Sequence, residues 1–381
     1  MELTMGMGMK KGGMIMKRTI RNLALAAVLG SAIFTGCEKD GMESRVGEAV
    51  RFSVTSSGAP TTKTSYGDDV DGFQLINWRA NDTIQIWSDN ATHRYGNDQH
   101  WADYYVTGAT TEGHKSKATL SAEQLFNTDN DSPVQSANGL VWGEEGETKE
   151  CQFWGIYPSK KNNPAITLVD SVVTATLPAS YALATSSTKT DNSISYKVCA
   201  PDMNYAFMTA AQKVTGTPSA VDLEFNAAFT AIEIYLSSAD DDIAVTSVGL
   251  QSASTNLSGK YTMTAGNLNT VQTLDGGEAS KAVTYTASSS VAVTKGSGLN
   301  VTFFTIPKTN AGVISLIVNT DQGRAKLKFL QKGTSTAYPF EAGHKYRIHL
   351  LKMGGKWQIL FGDDKLTVEP WDEQSTELIV E

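Results

Sequence analysis

The chain has 381 residues, of which 19% are charged and 40% hydrophobic, and its formal net charge is −8. This composition is typical of a folded protein long enough for two ordinary domains, and it excludes an intrinsically disordered chain. Because the charge is negative and no basic stripe is present, the sequence also argues against a nucleic-acid partner.

The first 36 residues have the parts of a bacterial secretory signal peptide. Lys17, Arg18 and Arg21 form a basic region, and residues 23–33 form an apolar stretch too short to span a bilayer comfortably. Small residues follow it, as before a cleavage site. The Met-rich residues 1–15 are expected to be an extra N-terminal prefix with no part in the fold.

Cys37 ends the sequence Phe-Thr-Gly-Cys, which resembles a bacterial lipobox. In a lipobox the cysteine sulfur receives a diacylglycerol, and the cysteine becomes the first residue of the mature protein. The sequence therefore predicts a lipid on Cys37, a tether at residues 37–48 and a protein anchored to the outer membrane at the cell surface. An ordinary signal peptide that happens to contain a cysteine is the alternative.

Short strands with alternating apolar and polar residues follow the tether. In the first strand, Val50, Phe52 and Val54 alternate with polar residues, as in a half-buried strand. Further strands are separated by turn-forming residues, and the Ser- and Thr-rich residues 181–192 are expected to form a loop. The pattern predicts an N-terminal β-sandwich domain over residues 49–215.

A domain boundary is predicted near residues 208–219, where the alternation lapses and Gly216 and Pro218 interrupt the chain. The alternation then returns more regularly. Strands at this density, with turn signals between them, indicate a β-sandwich or a barrel. Residues 216–381 are therefore predicted to form a C-terminal β-sandwich domain.

The C-terminal tail contains strand-like pieces separated by turn residues. Leu366 and Val368 lie in one piece, and Leu378 and Val380 lie in another. A detachable apolar strand of this kind can add to the sheet of a neighbouring subunit. An ordinary last strand in the chain's own sheet is the alternative.

The sequence has no recognisable catalytic, phosphate-binding or metal-binding motif, so we expect neither an enzyme nor a bound cofactor or metal. His344 and His349 flank an alternating strand and are expected at the surface. Cys151 and Cys199 either form a disulfide, which an oxidising compartment permits, or remain two small buried thiols.

A group of aromatic residues in the N-terminal half suggests a second function. Their rings could stack against the C–H-rich faces of sugars, which would make the protein a surface glycan-binding lipoprotein. The alternative is that these side chains fill the core of a sandwich. The residues are Trp78, Trp87, Trp101, Trp142, Tyr95, Tyr104 and Tyr105.

Six short segments occur in an order that resembles one known family. They are RFSV from Arg51, WRANDTIQIW from Trp78, FWGIYP from Phe153, LEFNAAFTAI from Leu223, LSGKY from Leu257 and EAGHKYRI from Glu341. Together with VEPW from Val368, they resemble the fimbrillin (Mfa-like) proteins, which are type V pilus subunits and accessory lipoproteins.

The resemblance implies two transthyretin-like Greek-key β-sandwich domains in tandem, no enzyme activity, and a role as a structural, tip or anchor subunit that supports adhesion. It also implies donor-strand assembly with other pilus subunits. A trypsin-like protease cuts the loop after the first strand, that strand leaves, and a neighbour's strand fills the groove. Carried over to this sequence, the resemblance implies that residues 49–54 are the displaceable strand, Lys63 is the cleavage position and residues 366–380 are the donor.

Two triplets resemble an O-glycosylation sequon of aspartate, a hydroxyl residue and an aliphatic residue. They place the acceptor hydroxyls at Thr83 and Ser171. Because such triplets are common, chance occurrence is the alternative.

Overall fold

The structure is a computed structural model that describes residues 45, 47–57, 65–70, 73–93, 100–112, 115–122, 139–143, 150–274, 279–307, 312–361 and 366–370. These residues form 27 β-strands and a short 3-10 helix at Met203–Tyr205, with no α-helix among them. The prediction of an all-β fold is confirmed. Within the described ranges, no helix has the length and apolar character needed to cross a membrane.

The strands alternate with turns along the whole described chain. The first fourteen are β1 (Phe52–Ser57), β2 (Ser65–Val70), β3 (Phe73–Asn77), β4 (Thr83–Ser88), β5 (Thr92–His93), β6 (Trp101–Glu112), β7 (Lys115–Ala122), β8 (Leu140–Val141), β9 (Glu150–Tyr157), β10 (Ile166–Val169), β11 (Val172–Leu177), β12 (Ser180–Ala182), β13 (Ser187–Asp191) and β14 (Ile194–Cys199).

The remaining thirteen are β15 (Met208–Thr215), β16 (Val221–Ala227), β17 (Thr230–Ser238), β18 (Ile243–Ser252), β19 (Gly259–Thr264), β20 (Asn267–Thr273), β21 (Ala282–Val293), β22 (Ser297–Thr305), β23 (Ile314–Thr320), β24 (Gly323–Gln331), β25 (Lys345–Met353), β26 (Lys356–Phe361) and β27 (Leu366–Pro370).

Seven strands make a sheet that closes on itself, in the order β1-β16-β15-β9-β4-β6-β7. Their inward side chains form the first hydrophobic core, which includes Val54, Ile86, Phe153 and Leu223. The alternation seen in the sequence explains this arrangement. In β16, for example, every second side chain is buried and those between are exposed.

A four-stranded sheet, in the order β10-β11-β19-β20, packs on the first core. Gly266, in the turn between β19 and β20, comes so close to β15 that an added Cβ would lie 2.8 Å from the Cβ of Ala211. Tyr261 of β19 is buried in the first core, so this core draws on strands from both sides of residue 215. The division at residues 215/216 stays a prediction.

Two six-stranded sheets enclose the second hydrophobic core. Their orders are β12-β21-β18-β23-β24-β27 and β13-β14-β22-β17-β25-β26. Ile234 of one sheet and Leu250 of the other are fully buried between them. Two facing sheets around one apolar layer are a β-sandwich, as the strand density predicted.

The prediction of a loop at residues 181–192 is wrong in part, because strands β12 and β13 lie there. Each is the first strand of a six-stranded sheet and pairs on one side only. The side chains of β13 are almost all exposed and polar. A strand held at a sheet edge by its backbone therefore leaves no apolar periodicity in the sequence.

Glu233 of β17 is a buried carboxylate. It lies on the outer face of the six-stranded sheet β13-β14-β22-β17-β25-β26. Its Oε2 lies 2.9 Å from Lys345 Nζ and 3.1 Å from Arg347 Nε, and its Oε1 accepts hydrogen bonds from Tyr235 Oη and Asn300 Nδ2. Burial by itself would raise the pKa of Glu233, but the neighbouring cations outweigh burial and lower the pKa to about 2.

The expectation of a surface position for His349 is wrong. Its side chain is 5% exposed and its ring stacks on Tyr235, with ring centroids 4.1 Å apart and planes 6° apart. The network around Glu233 covers that face of the sheet, so a polar side chain is buried there. His344, by contrast, is exposed.

Replacing Glu233 by Gln should lower the free energy of unfolding by about 3 kcal/mol, because two partly buried cations lose their counter-charge. Urea unfolding followed by circular dichroism measures this. The matched control is Glu150→Gln, which removes a carboxylate from an exposed pair with Lys213 and should cost less than about 1 kcal/mol. Equal costs for the two variants would contradict this assignment.

The stabilisation from Glu233 should also depend on pH. Its folded pKa of about 2 is below its ordinary value of 4.5, so the carboxylate stabilises the folded state fully above pH 4.5 and progressively less as the pH falls towards 2. The difference in unfolding free energy between the native protein and Glu233→Gln should therefore be constant near neutral pH and shrink in that acid range. A difference that grows on acidification would refute the lowered pKa.

Candidate functional site

The first strand lies inside the closed sheet and not at an edge. β1 pairs in parallel with β16, where Phe52 lies opposite Val221 and Ser56 lies opposite Phe225. On its other side β1 pairs antiparallel with β7, where Ser53 lies opposite Thr119. The backbone of β1 is thus hydrogen-bonded on both sides.

The inward side chains of β1 fill an apolar groove between β7 and β16. Val54 is fully buried and Phe52 is 4% exposed. The Phe52 ring makes edge contacts with Tyr104 and Phe153, with ring centroids 5.1 Å and 5.2 Å apart. The groove without β1 would therefore expose two aromatic side chains and a strip of the first core.

The neighbouring strand β16 depends on β1 for most of its pairing. Its residues from Val221 to Phe225 pair with β1, whereas only Asn226 and Ala227 pair with β15. β1 is therefore the strand that closes the sheet. Without it, β7 and β16 would become two free edges, each with unpaired backbone groups.

The residues just before β1 form backbone hydrogen bonds with residues 140–142. Gly47 N donates to Trp142 O at 2.8 Å, Trp142 N donates to Glu48 O at 3.0 Å, and Val50 N donates to Leu140 O at 2.8 Å. The N-terminal strand thus has a second, short line of backbone pairing that must open when β1 leaves.

The last described strand lies at a sheet edge. β27 pairs antiparallel with β24 alone, where Val368 lies opposite Phe329 and Leu366 lies opposite Gln331. Its other side has no paired strand among the described residues. An edge strand with one partner is held by fewer backbone hydrogen bonds than an internal strand such as β1.

Several predicted site residues lie outside the described residues. Cys37, Lys63, Leu378 and Val380 are among them, so lipidation, cleavage and the distal part of the donor stay predictions. The neighbours of β1 in the sheet were not singled out from the sequence. The alternation in residues 221–227 predicts a strand, but pairing between residues so far apart in the chain cannot be read from alternation.

Cys151 and Cys199 are free and buried thiols. Cys151 lies in the first core, where Ser88 Oγ is 3.2 Å from its Sγ, and Cys199 lies in the second core. Burial raises the pKa of both thiols, which makes them poor nucleophiles. The two cysteines therefore do not form a disulfide in the structure and remain buried thiols.

The aromatic residues divide into two groups. Trp78, Trp142 and Tyr104 are buried in the first core, whereas Trp101 is 39% exposed and Trp87 is half-buried. Tyr105 is also half-buried, and Tyr95 lies outside the described residues. Core packing is therefore the role of the first group, and the second group lies on the outer face of the closed sheet.

The two predicted glycosylation positions differ in their surroundings. Thr83, at the start of β4, is half-buried, and its hydroxyl accepts a hydrogen bond from Asn162. Ser171 lies in the turn between β10 and β11, next to Asp170 with a φ of 55°. Modification at either residue stays a prediction.

The described part of the chain holds no group of three or more His, Cys, Asp or Glu side chains arranged to bind a metal ion. The site that the structure does contain is the strand-filled groove, whose contacts are backbone pairing and apolar packing. Such a groove suits the binding of an extended polypeptide strand.

No family model matches this chain, and no curated protein matches it either. Solved structures with related architecture include a Bacteroides uniformis protein provisionally assigned to cell adhesion. It has 16% identity and a TM-score of 0.45, and the match covers 84% of this chain and 98% of that one.

Two further similar structures are fimbrial proteins. A fimbrial assembly protein from Parabacteroides distasonis has 13% identity and a TM-score of 0.39, covering 84% of this chain and 100% of that one. The tip fimbrial protein Mfa3 from Porphyromonas gingivalis, truncated at its C-terminus, has 8% identity and a TM-score of 0.37, with the same coverage. Because these TM-scores are below 0.5, function is argued below from this chain's own strands and contacts.

The groove contacts predict how substitutions in β1 affect stability. Phe52→Ala should lower the free energy of unfolding by about 3–5 kcal/mol, because it leaves a cavity against Tyr104 and Phe153. Ser53→Ala, one residue further along the same strand, should change it by less than about 0.5 kcal/mol. Urea unfolding measures both, and a cost for Phe52→Ala as small as that for Ser53→Ala would show that β1 does not fill the groove.

Proposed function

We propose that this chain is a subunit of a cell-surface fimbria, of the fimbrillin type, that assembles by exchange of its first strand for a strand of a neighbouring subunit. The observation that carries the proposal is the position of β1. It is internal to the closed sheet and it closes that sheet. It is also the first described strand, so one cut between β1 and β2 would separate it from the rest of the fold.

The groove favours a strand as its natural occupant. Its walls offer backbone donors and acceptors along β7 and β16, and its floor offers an apolar surface that accepts side chains such as Phe52 and Val54. A second chain in extended conformation, with apolar residues at alternate positions, would satisfy both requirements. The occupant is therefore held by the same contacts whether it comes from the same chain or from a neighbour.

Lys63 is the proposed cleavage position, since it follows β1 in the sequence and trypsin-like proteases cut after lysine or arginine. In the precursor, a lipid on Cys37 would hold the protein at the outer membrane through the segment that includes β1. Cleavage after Lys63 would then release the body of the subunit from its lipid. An uncleaved chain would keep its anchor and would serve as an anchor or accessory subunit.

Residues 366–380 are the proposed donor. Two features support this choice: β27 is an edge strand with one partner, and Leu378 and Val380 give the chain a further apolar alternation beyond it. An edge strand loses fewer hydrogen bonds on leaving than an internal one. The donor is thus the more easily released of the two terminal strands.

The proposal includes two tandem domains with transthyretin-like topology. The two separate hydrophobic cores support it, one inside the closed sheet and one between the six-stranded sheets. The function is structural and adhesive, without enzyme activity.

Limited proteolysis tests the cleavage step. Trypsin should cut the purified protein after Lys63, after which the body should form oligomers that size-exclusion chromatography and native gels detect. The Lys63→Gln variant should remain monomeric under the same treatment. The control is Lys281→Gln, at an exposed position just before β21, and it should behave like the native protein. A cut protein that stays monomeric, or a Lys63→Gln variant that assembles equally well, would refute assembly by release of β1.

The donor is tested in the same assay by Leu378→Asp combined with Val380→Asp. Charged side chains cannot enter the apolar groove without a large desolvation cost, so cleavage should proceed normally and oligomers should not form. Glu377→Gln is the matched control and should assemble. Normal assembly of the double variant would exclude Leu378 and Val380 as donor residues.

A further inference from the structure

Three tryptophan side chains lie side by side on the outer face of the closed sheet. Trp87 of β4 is directly opposite Trp101 of β6 on one side and Trp154 of β9 on the other. The side chains that precede and follow them in each strand point inward, as Ile86, Ala102 and Phe153 show. We call Trp101, Trp87 and Trp154 the tryptophan row.

The three side chains of the row differ in exposure, since Trp101 is exposed and the other two pack against the first core. Trp101 is 39% exposed and is one of five exposed large apolar side chains among the described residues. Trp87 and Trp154 are half-buried and pack against the first core, with ring centroids 5.0 Å apart and planes inclined at 51°. The His100 ring lies 5.8 Å from Trp87. The indoles are thus held in place before any ligand arrives.

Polar side chains flank the row. Two residues from Trp87 and Trp101 along their strands, Gln85 lies opposite Asp103 on the same outer face. Gln85 is 4% exposed, and its Oε1 is buried without a hydrogen-bond partner in the described part of the chain. On the other flank lie Gln152 and Asp89, joined by a hydrogen bond from Gln152 N to Asp89 Oδ1 of 2.8 Å. The surface therefore has an aromatic centre and hydrogen-bonding edges.

We propose that the tryptophan row is a binding site for an oligosaccharide. A pyranose ring has an apolar C–H face and a rim of hydroxyl groups, which matches aromatic faces flanked by carboxylate and amide oxygens. Adhesion through this face does not depend on strand exchange, because none of these residues belongs to β1 or β27.

The inclination of the rings selects the kind of saccharide. Two indoles at 51° to each other do not lie in one plane, so they fit a soluble, twisted single chain better than the flat surface of a crystalline polysaccharide. The neighbouring strands β6, β4 and β9 contribute one indole each, so the row runs perpendicular to the strands. The proposed ligand is therefore a soluble chain of several successive sugar rings, for which β-linked hexasaccharides are the probes.

Isothermal titration calorimetry with cellohexaose, chitohexaose and laminarihexaose tests the site. At least one of these should bind the native protein, and Trp101→Ala should weaken that binding about tenfold or more, equivalent to about 1.4 kcal/mol. Trp101→Tyr keeps an aromatic face and should retain most of the affinity. The matched control is Leu360→Ala, which removes a side chain of 37% exposure from β26 and should bind normally.

Thermal unfolding separates a binding effect from a folding effect. Trp101→Ala and Leu360→Ala should both unfold within a few degrees of the native protein, because each removes an exposed side chain. Failure of all three saccharides to bind the native protein at millimolar concentration would overturn the proposal. Equal affinities of the native protein and a folded Trp101→Ala would overturn it as well.

Discussion

The parallel pairing of β1 with β16 is the interaction on which the rest of the N-terminal half depends. β16 has almost no other partner over Val221 to Phe225, so β1 converts an open sheet with two free edges into a closed one. The same strand places Phe52 and Val54 in the first core. One segment therefore satisfies backbone groups on two neighbours and completes an apolar interior, and both contributions are lost together if it leaves.

Under the proposed function, this arrangement would let a stable monomer also serve as an assembly intermediate. The closed sheet is complete while β1 is present, so this sheet offers no edge to other chains. In the proposed assembly, release of β1 would leave a groove that costs free energy until another strand fills it, and this cost would give assembly its driving force. The proposed anchor at Cys37 lies on the same side of the proposed cut as β1, so membrane release and activation for assembly would be one event.

The sequence predicts the strands that have one buried and one exposed face, because their side chains alternate. Phe52, Val54 and the residues of β16 belong to this class, and so does the all-β fold. β12 and β13 were missed, since edge strands are held by their backbones and carry no apolar pattern. His349 was expected at the surface because its burial comes from Tyr235 and the Glu233 network, which long-range pairing assembles. The tryptophan row was missed in part for the same reason: Trp154 joins Trp87 and Trp101 only through strand register.

Hydrogen–deuterium exchange across the three stages of assembly tests the central claim most directly. In the intact protein, amides of β16 that pair with β1 should be protected. After cleavage and loss of β1 these amides should exchange quickly, and in oligomers they should be protected again. Amides of β17, which pairs with a strand on each side in the β-sandwich, should stay protected throughout. Protection of β16 that is unchanged after cleavage, or not restored on assembly, would contradict the account.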